Sequence, residues 1–294
     1  MLRLLRSEIF RLRRRWLPWI LLLVIALLSF AFYALIYVSV NAQLEAVRAG
    51  TIPAPPGGTE SFTEALNSLR PNEVPEFGLA MVIALGSVML IVLAASHVGA
   101  EYGWGTLRTL LAHGAGRGAF LAAKLVSLVL FALVFTIVGA IAVIAASYVI
   151  SSVAGLPTTP GVDLAEVTAR AARGLYTLLP YMALASLIAL WARSGGAGIA
   201  AGLVIYFAEG LVSQVIASVN RDLAKLVDYG LSRNVEAVQR AGVVPEGSLS
   251  TAATATAAAP LPDALQAAIV LGIYTMLFVG LAYWRLRSRD VTLS

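Results

Sequence analysis

The sequence EYGWGTLRTLLAHGAGRGAFLAAK, residues 101–124, is a polar stretch between two long apolar runs. Each interior glycine costs a helix about 1 kcal/mol relative to alanine, so the stretch does not favour one continuous helix. We expect a short helix over residues 104–112 that ends at the glycine-rich turn HGAGRG. An apolar run on either side would hold such a helix at a membrane surface, where another protein can contact it. The charged side chains of the stretch are Glu101, Arg108, Arg117 and Lys124.

The composition of the chain excludes several classes of protein. Hydrophobic residues make up 59% of it and charged residues 13%, against roughly 25% charged in a soluble domain. We therefore expect an all-α integral membrane protein. The sequence has no cysteine and only two histidines, which excludes disulfides, thiol catalysis and a multi-histidine metal centre. It lacks the P-loop, HExxH and GxSxG motifs, so we expect no catalytic residues, no metal and no ATP hydrolysis in this chain.

Six apolar runs are long enough to cross a bilayer core of about 30 Å. The fourth run contains Pro180, which favours a kink. Between the first two runs we expect an external segment with one helix, Thr59–Leu69. The loop at residues 220–262 has an amphipathic pattern in its first part, which predicts an outer-surface helix interrupted or bent at Gly230. The spans are predicted at about residues 17–40, 77–100, 119–150, 174–191, 197–219 and 264–284.

The first 16 residues, MLRLLRSEIFRLRRRW, place leucines and isoleucine at helical spacing among six arginines. This pattern predicts an amphipathic helix on an anionic inner leaflet, with the arginines at the lipid headgroups. A plain basic tail without fixed structure is the alternative. Pro18 disfavours helix at Leu17, so we expect a bend before the first span.

The distribution of basic residues predicts the orientation of the chain. With both termini cytoplasmic, the inner segments carry thirteen of the 21 Lys and Arg residues and the outer loops carry eight. Membrane proteins keep their basic residues on the cytoplasmic side, so this orientation is favoured and residues 101–124 lie inside. The net charge of +5 is explained in the same way, so we expect no nucleic-acid partner.

Two features of the fifth span leave alternatives open. Glu209 is an acid within an apolar run, where a charge costs roughly 2.5–3.5 kcal/mol on insertion scales. It either lines a translocation path or is hydrogen-bonded inside the bundle near the outer interface. Small residues at four-residue spacing allow close helix packing, either within the subunit or against a second subunit. These small residues are Ser194, Gly198 and Gly202.

The segment HVGAEYGWGTLRTLLAHGAGRGAFLAAKL, residues 97–125, resembles the cytoplasmic segment of ABC-type exporter permeases of the second type. In that family an acidic residue and a Gly-Thr-Leu-Arg run follow the second span, and an Arg and a Lys precede the third. The basic head and the six-span layout are similar to the same family.

This resemblance implies the membrane subunit of an ATP-driven exporter. Residues 101–112 would form the coupling helix that docks on a separate ABC ATPase subunit, which binds ATP and Mg. Residues 1–16 would form the elbow helix, and a second permease subunit, identical or related, would complete the path in the cell membrane. The residues to which the resemblance assigns ATPase coupling are Glu101, Tyr102, Trp104, Gly105, Thr106, Arg108, Thr109, Arg117 and Lys124.

Two other functions remain open at this point. A proton-coupled secondary carrier or a channel would use Glu209, and a membrane scaffold would have no transport activity. Neither needs a soluble ATPase, so co-purification of one distinguishes the permease from both. The substrate is not indicated by any residue pattern.

Overall fold

The fold is described by a computed structural model that covers residues 2–53, 55, 58–103, 116–219, 228–241 and 261–288. In these residues the chain is α-helical with no strand, and six helices are long and apolar enough to cross a membrane. The expected class, an all-α membrane protein, is confirmed. The α-helices are α1 Leu2–Arg14, α2 Trp16–Arg48, α3 Glu60–Asn67, α4 Leu79–Gly103, α5 Arg117–Ala154, α6 Leu164–Ala192, α7 Gly195–Val219, α8 Leu231–Arg240 and α9 Ala264–Ser288.

Several helices extend beyond the apolar runs that revealed them. Helix α2 continues past residue 40 through NAQLEAVR, most of which are good helix formers. Helix α6 begins ten residues before the predicted span because the Asp163 carboxylate accepts hydrogen bonds from the amides of Ala165 and Glu166. Asp263 caps α9 in the same way through the amide of Leu265. Hydropathy thus locates the apolar part of each helix, whereas the capping aspartates determine the first residues of α6 and α9.

The break between α1 and α2 is present, but at Arg15 rather than at Leu17. Arg15 has an extended backbone, with φ −85° and ψ 142°. Pro18 is then the third residue of α2, in the first turn, where its missing N–H costs no intrahelical hydrogen bond. The proline therefore falls inside the start of the span and the bend comes three residues before it.

One compact unit of the chain comprises Arg15–Gly86 and Ala132–Leu175. It contains α3, which confirms the helix expected in the first external segment. A 3₁₀ turn and a π-helical turn connect α3 to α4. The Leu69 carbonyl accepts hydrogen bonds from the hydroxyls of Ser147 and Ser151, which fixes the end of this connection on α5.

The other compact unit comprises Met1–Arg14, Ser87–Phe131 and Tyr176–Ser294. Its helix α8 begins directly after Gly230, where the sequence predicted an interruption. Polar as well as apolar side chains of α8 are buried, among them Arg233 and Asn234. The buried positions 231, 233, 234, 237 and 238 fall on one side of α8, so the helix packs against the protein by one face, as the amphipathic pattern predicts. The part of the expected helix at residues 220–227 lies outside the described residues.

The small-residue stripe of the fifth span packs within the chain. A Cβ atom added to Gly198 would lie 2.8 Å from the Ala189 Cβ and 2.9 Å from the Ala95 Cβ. One added to Gly202 would lie 2.8 Å from the Ile91 side chain. These glycines let α7 approach α4 and α6 closely, so of the two alternatives the structure supports packing inside the subunit. Ser194 lies in the turn before α7, next to Arg193 with φ 54°.

We predict that Gly198→Ala destabilises the protein by about 1–3 kcal/mol, because the added methyl overpacks the contact with Ala95 and Ala189. Gly210→Ala is the matched control in the same helix, since nothing lies within 4 Å of a Cβ there. It should be neutral or stabilising by up to about 1 kcal/mol. Thermal unfolding of the two purified variants checks this, and equal midpoints would contradict the close packing.

Candidate functional site

The candidate site is a cluster of buried charged side chains that joins α1, α4 and α5. Helix α1 places Glu8 and Leu12 four residues apart, so both lie on the face that packs against the protein. Its arginines at positions 3, 6, 13 and 14 are exposed. Glu8, the one acid of this basic helix, is only 2% exposed. An ionised carboxylate buried to this extent needs cationic partners.

Lys124 supplies the central positive charge. Its side chain is fully buried in α5. The Nζ atom lies 3.1 Å from Glu8 Oε2 and 2.9 Å from Glu101 Oε1, and it donates a third hydrogen bond, 3.1 Å long, to the carbonyl oxygen of His97. These three acceptors match the three N–H donors of a lysine ammonium group. Lys124 therefore links the N-terminal helix to the carboxyl-terminal end of α4.

Two further side chains complete the cluster. Arg11 Nη1 lies 3.0 Å from Glu101 Oε1 and 3.3 Å from Glu8 Oε1. His97 Nε2 lies 3.3 Å from Glu8 Oε2 and 3.3 Å from the hydroxyl of Ser127. The charges of two carboxylates are thus balanced by one ammonium and one guanidinium group. Basic side chains occupy the space between the carboxylates where a metal cation would otherwise bind.

The surroundings of Glu8 favour its ionised form. Burial alone would raise the pKa of its carboxyl group. The hydrogen bond from His97 and the positive charge of Lys124 outweigh burial and lower this pKa from 4.5 to about 2. Glu8 therefore stays ionised at neutral pH, as the ion pair with Lys124 requires.

The structure brings together only part of the predicted coupling set. Glu101 is 1% exposed and is paired with Lys124 and Arg11. Arg117, at the start of α5, donates hydrogen bonds to the carbonyls of Leu286 and Arg287 in α9. Tyr102 is half-buried in the last turn of α4. The other predicted coupling residues lie outside the described part of the chain: Trp104, Gly105, Thr106, Arg108 and Thr109.

Three members of the cluster were missed from the sequence: Glu8, Arg11 and His97. For Glu8 a signal was present, because it is the single acid among six arginines and lies four residues before the apolar Leu12. An acid on the apolar face of a basic helix indicates a buried cationic partner rather than a lipid contact. No comparable signal marks His97, which sits in an apolar run.

Glu209 lies outside this cluster and is hydrogen-bonded within the protein. Its Oε1 atom accepts a 2.9 Å hydrogen bond from the amide of Ser232. Ser232 is the second residue of α8, so Glu209 caps the amino terminus of that helix. The hydrogen-bonded alternative for Glu209 is therefore present in the structure.

Comparison with known proteins identifies a family but not an activity. Residues 61–292 match the family described as Protein of unknown function (DUF2705). This match covers more than half of the chain, so the chain belongs to that family. No curated protein matches the chain.

We predict that Lys124→Met destabilises the protein by about 3–5 kcal/mol, because it leaves two buried carboxylates beside each other with one cation lost. Thermal unfolding in detergent measures the effect. Glu45→Gln, at an exposed position of α2, is the control and should unfold like the unmodified protein. A Lys124→Met variant as stable as that control would contradict the structural role of the cluster.

Acid should remove the contribution of Glu8 to stability. Its pKa is lowered to about 2 in the folded protein, so the contribution is complete above the unfolded value of about 4.3 and is lost as the pH falls toward 2. We expect Glu8→Gln to be less stable than the unmodified protein by about 3 kcal/mol at pH 7, a difference that narrows below pH 4. Unfolding midpoints between pH 7 and pH 3 measure this. A difference that is constant with pH would contradict it.

Proposed function

We propose that this DUF2705 protein is the permease subunit of an ATP-driven ABC exporter of the second type, coupled to a separate ATPase through residues 101–112. The observation that carries the proposal is the buried cluster around Lys124. It ties together the end of α4 and the start of α5, which are the two helices that flank the coupling segment. It also ties both of them to α1, the expected elbow helix.

In this proposal the cluster holds together the two helices that flank the coupling segment. A docked ATPase would push on residues between Gly103 and Gly116, and this force reaches the bilayer only if the flanking helices move as a unit. Lys124 donates hydrogen bonds to two groups of α4, the backbone carbonyl of His97 and the side-chain carboxylate of Glu101. Buried, multiply hydrogen-bonded ion pairs resist separation more than exposed pairs, which contribute about 0–1 kcal/mol. The geometry therefore suits transmission of a nucleotide-driven movement into two spans.

In this proposal the other components of the transporter are separate subunits. ATP and Mg bind to the partner ATPase, because this sequence has no P-loop. A second permease subunit, identical or related, completes the translocation path. In this proposal both termini and residues 101–124 lie on the cytoplasmic side of the cell membrane, an orientation that the bias of basic residues favours.

The two alternative functions require different residues and partners. A proton-coupled carrier or channel needs Glu209 and no ATPase, and a scaffold needs no transport at all. The capping of α8 by Glu209 gives this acid a structural role that requires no proton coupling. The ATPase-coupled permease is the function that also uses the charge cluster.

The first test is isolation of the chain from native membranes under mild detergent. A soluble ATPase should co-purify in a fixed ratio, and its ATP hydrolysis should change when the permease is removed. Recovery of the chain without any ATPase, from membranes in which the chain carries out transport, would refute the proposal.

We predict that Arg108→Glu breaks the coupling without unfolding the protein. A reversed charge in the docking segment should lower co-purification of the ATPase or its permease-dependent ATP hydrolysis by about tenfold, the size typical of one charged contact at an interface. Arg48→Glu, at the end of α2 on the expected outer side, is the matched control and should leave both unchanged. Equal coupling in the two variants would show that residue 108 does not contact the ATPase.

A further inference from the structure

The two faces of helix α1 have different surroundings. Residues three, four or seven positions apart share a face of a helix. Glu8 and Leu12 lie on the face that is buried in the protein. This is the leucine side of α1, the side that an interfacial helix would otherwise insert into a bilayer. The exposed positions have the same spacing on the opposite side, which we call the basic face. They are Arg3, Arg6, Phe10, Arg13 and Arg14.

The basic face carries four guanidinium groups around one aromatic ring. Arg6 and Arg14 lie one helical turn before and after Phe10, which is 58% exposed. The guanidinium carbon of Arg14 lies 5.0 Å from the centroid of that ring, within the range of cation–π attraction. The single acid of α1, Glu8, is on the opposite face and is paired with Lys124. The exposed side of α1 is therefore strongly positive.

Chain continuity places α1 at the membrane surface. Arg14 is two residues before Trp16, so at most about 8 Å of chain separates it from the first span. Trp16 is 82% exposed, as expected of an aromatic anchor at a bilayer interface. Arg11, nearer the middle of α1, is bonded to Glu101 at the carboxyl-terminal end of the second span. Successive spans alternate in direction, so these two span ends lie on the same side of the bilayer. Arginine side chains of a helix at this level can reach the lipid phosphates.

We propose that the basic face of α1 is a binding surface for the headgroups of anionic phospholipids. A guanidinium group pairs with phosphate oxygens through two parallel hydrogen bonds, and several of them on one face match a layer of negative charge. Phe10, between the arginines, contacts the boundary of headgroups and acyl chains. An acidic surface of another protein fits less well, because α1 leads directly into a span and always has lipid beside it.

Binding through the basic face is electrostatic, which distinguishes it from insertion of an apolar helix. Insertion of the leucine side would accept neutral lipids and tolerate salt, because it depends on buried apolar area. The basic face should instead select anionic lipids and lose this selectivity as salt screens the charges. The contact needs neither an ATPase nor transport, so it does not rest on the proposed function.

The experiment compares phosphatidylglycerol with phosphatidylcholine on the purified full-length chain. Native mass spectrometry measures which lipid is bound from an equimolar mixture with identical acyl chains in detergent. Each arginine near a membrane surface should contribute about a fivefold preference for the anionic lipid, so Arg6→Gln combined with Arg14→Gln should lower the preference by at least about tenfold. Arg48→Gln combined with Arg240→Gln is the matched control, because it removes the same charge at two exposed positions. It should leave the preference unchanged, and unfolding midpoints check that both variants are folded.

Salt gives a second measurement that needs no substitution. Raising ammonium acetate from about 0.1 M to about 1 M shortens the Debye length from about 10 Å to about 3 Å. The preference of the unmodified chain for phosphatidylglycerol should then fall. This measurement decides the question if the Arg6→Gln and Arg14→Gln variant does not fold.

Three results would overturn the proposal: equal binding of the two lipids, a preference that salt does not change, or equal preference in the two double variants. A fourth would assign the basic face to another protein instead. In that case the Arg6→Gln and Arg14→Gln variant would keep its lipid preference but lose a soluble protein that co-purifies with the unmodified chain. The lipid measurements contain no ATPase, so their failure is distinct from failure of the proposed function.

Discussion

The bonds of Lys124 are the interaction on which the arrangement of the amino-terminal helix depends. A fully buried ammonium group is tolerated because it donates to two carboxylates and a backbone carbonyl at once. Its partners Glu8 and Glu101 come from separate helices, so none of the three charges can stay buried without the others. The cluster is therefore a specific connection rather than a general attraction between a basic helix and the membrane surface.

Much of the fold was predictable because a bilayer imposes long apolar helices. The six spans and the helix α3 follow from hydropathy and spacing in the sequence. Helix ends were less predictable: Asp163 starts α6 ten residues before the predicted span, through local hydrogen bonds that lie outside the apolar window. The position of the break was also not predictable in detail. Because the first turn of α2 accommodates Pro18, the break falls at Arg15 instead of at Leu17.

The candidate site was predictable only in part, for a physical reason. Glu101 and Lys124 were identified because they flank a polar segment, yet their ion pair is a contact between helices. Sequence periodicity shows which residues share a helix face and not which face meets another. Glu8 carries a sequence signal of burial, as the single acid of a basic helix, but nothing in the sequence shows that its partners are Lys124 and His97.

The glycine contacts of α7 have a mechanical consequence. Helices that meet through interlocked large side chains must unpack before one can slide along the other. At Gly198 and Gly202 the α7 backbone meets short alanines and a branched isoleucine end instead, so the contact surface is nearly smooth. Shear between packed helices proceeds by small sliding steps, and a contact of this kind offers little steric resistance to such a displacement.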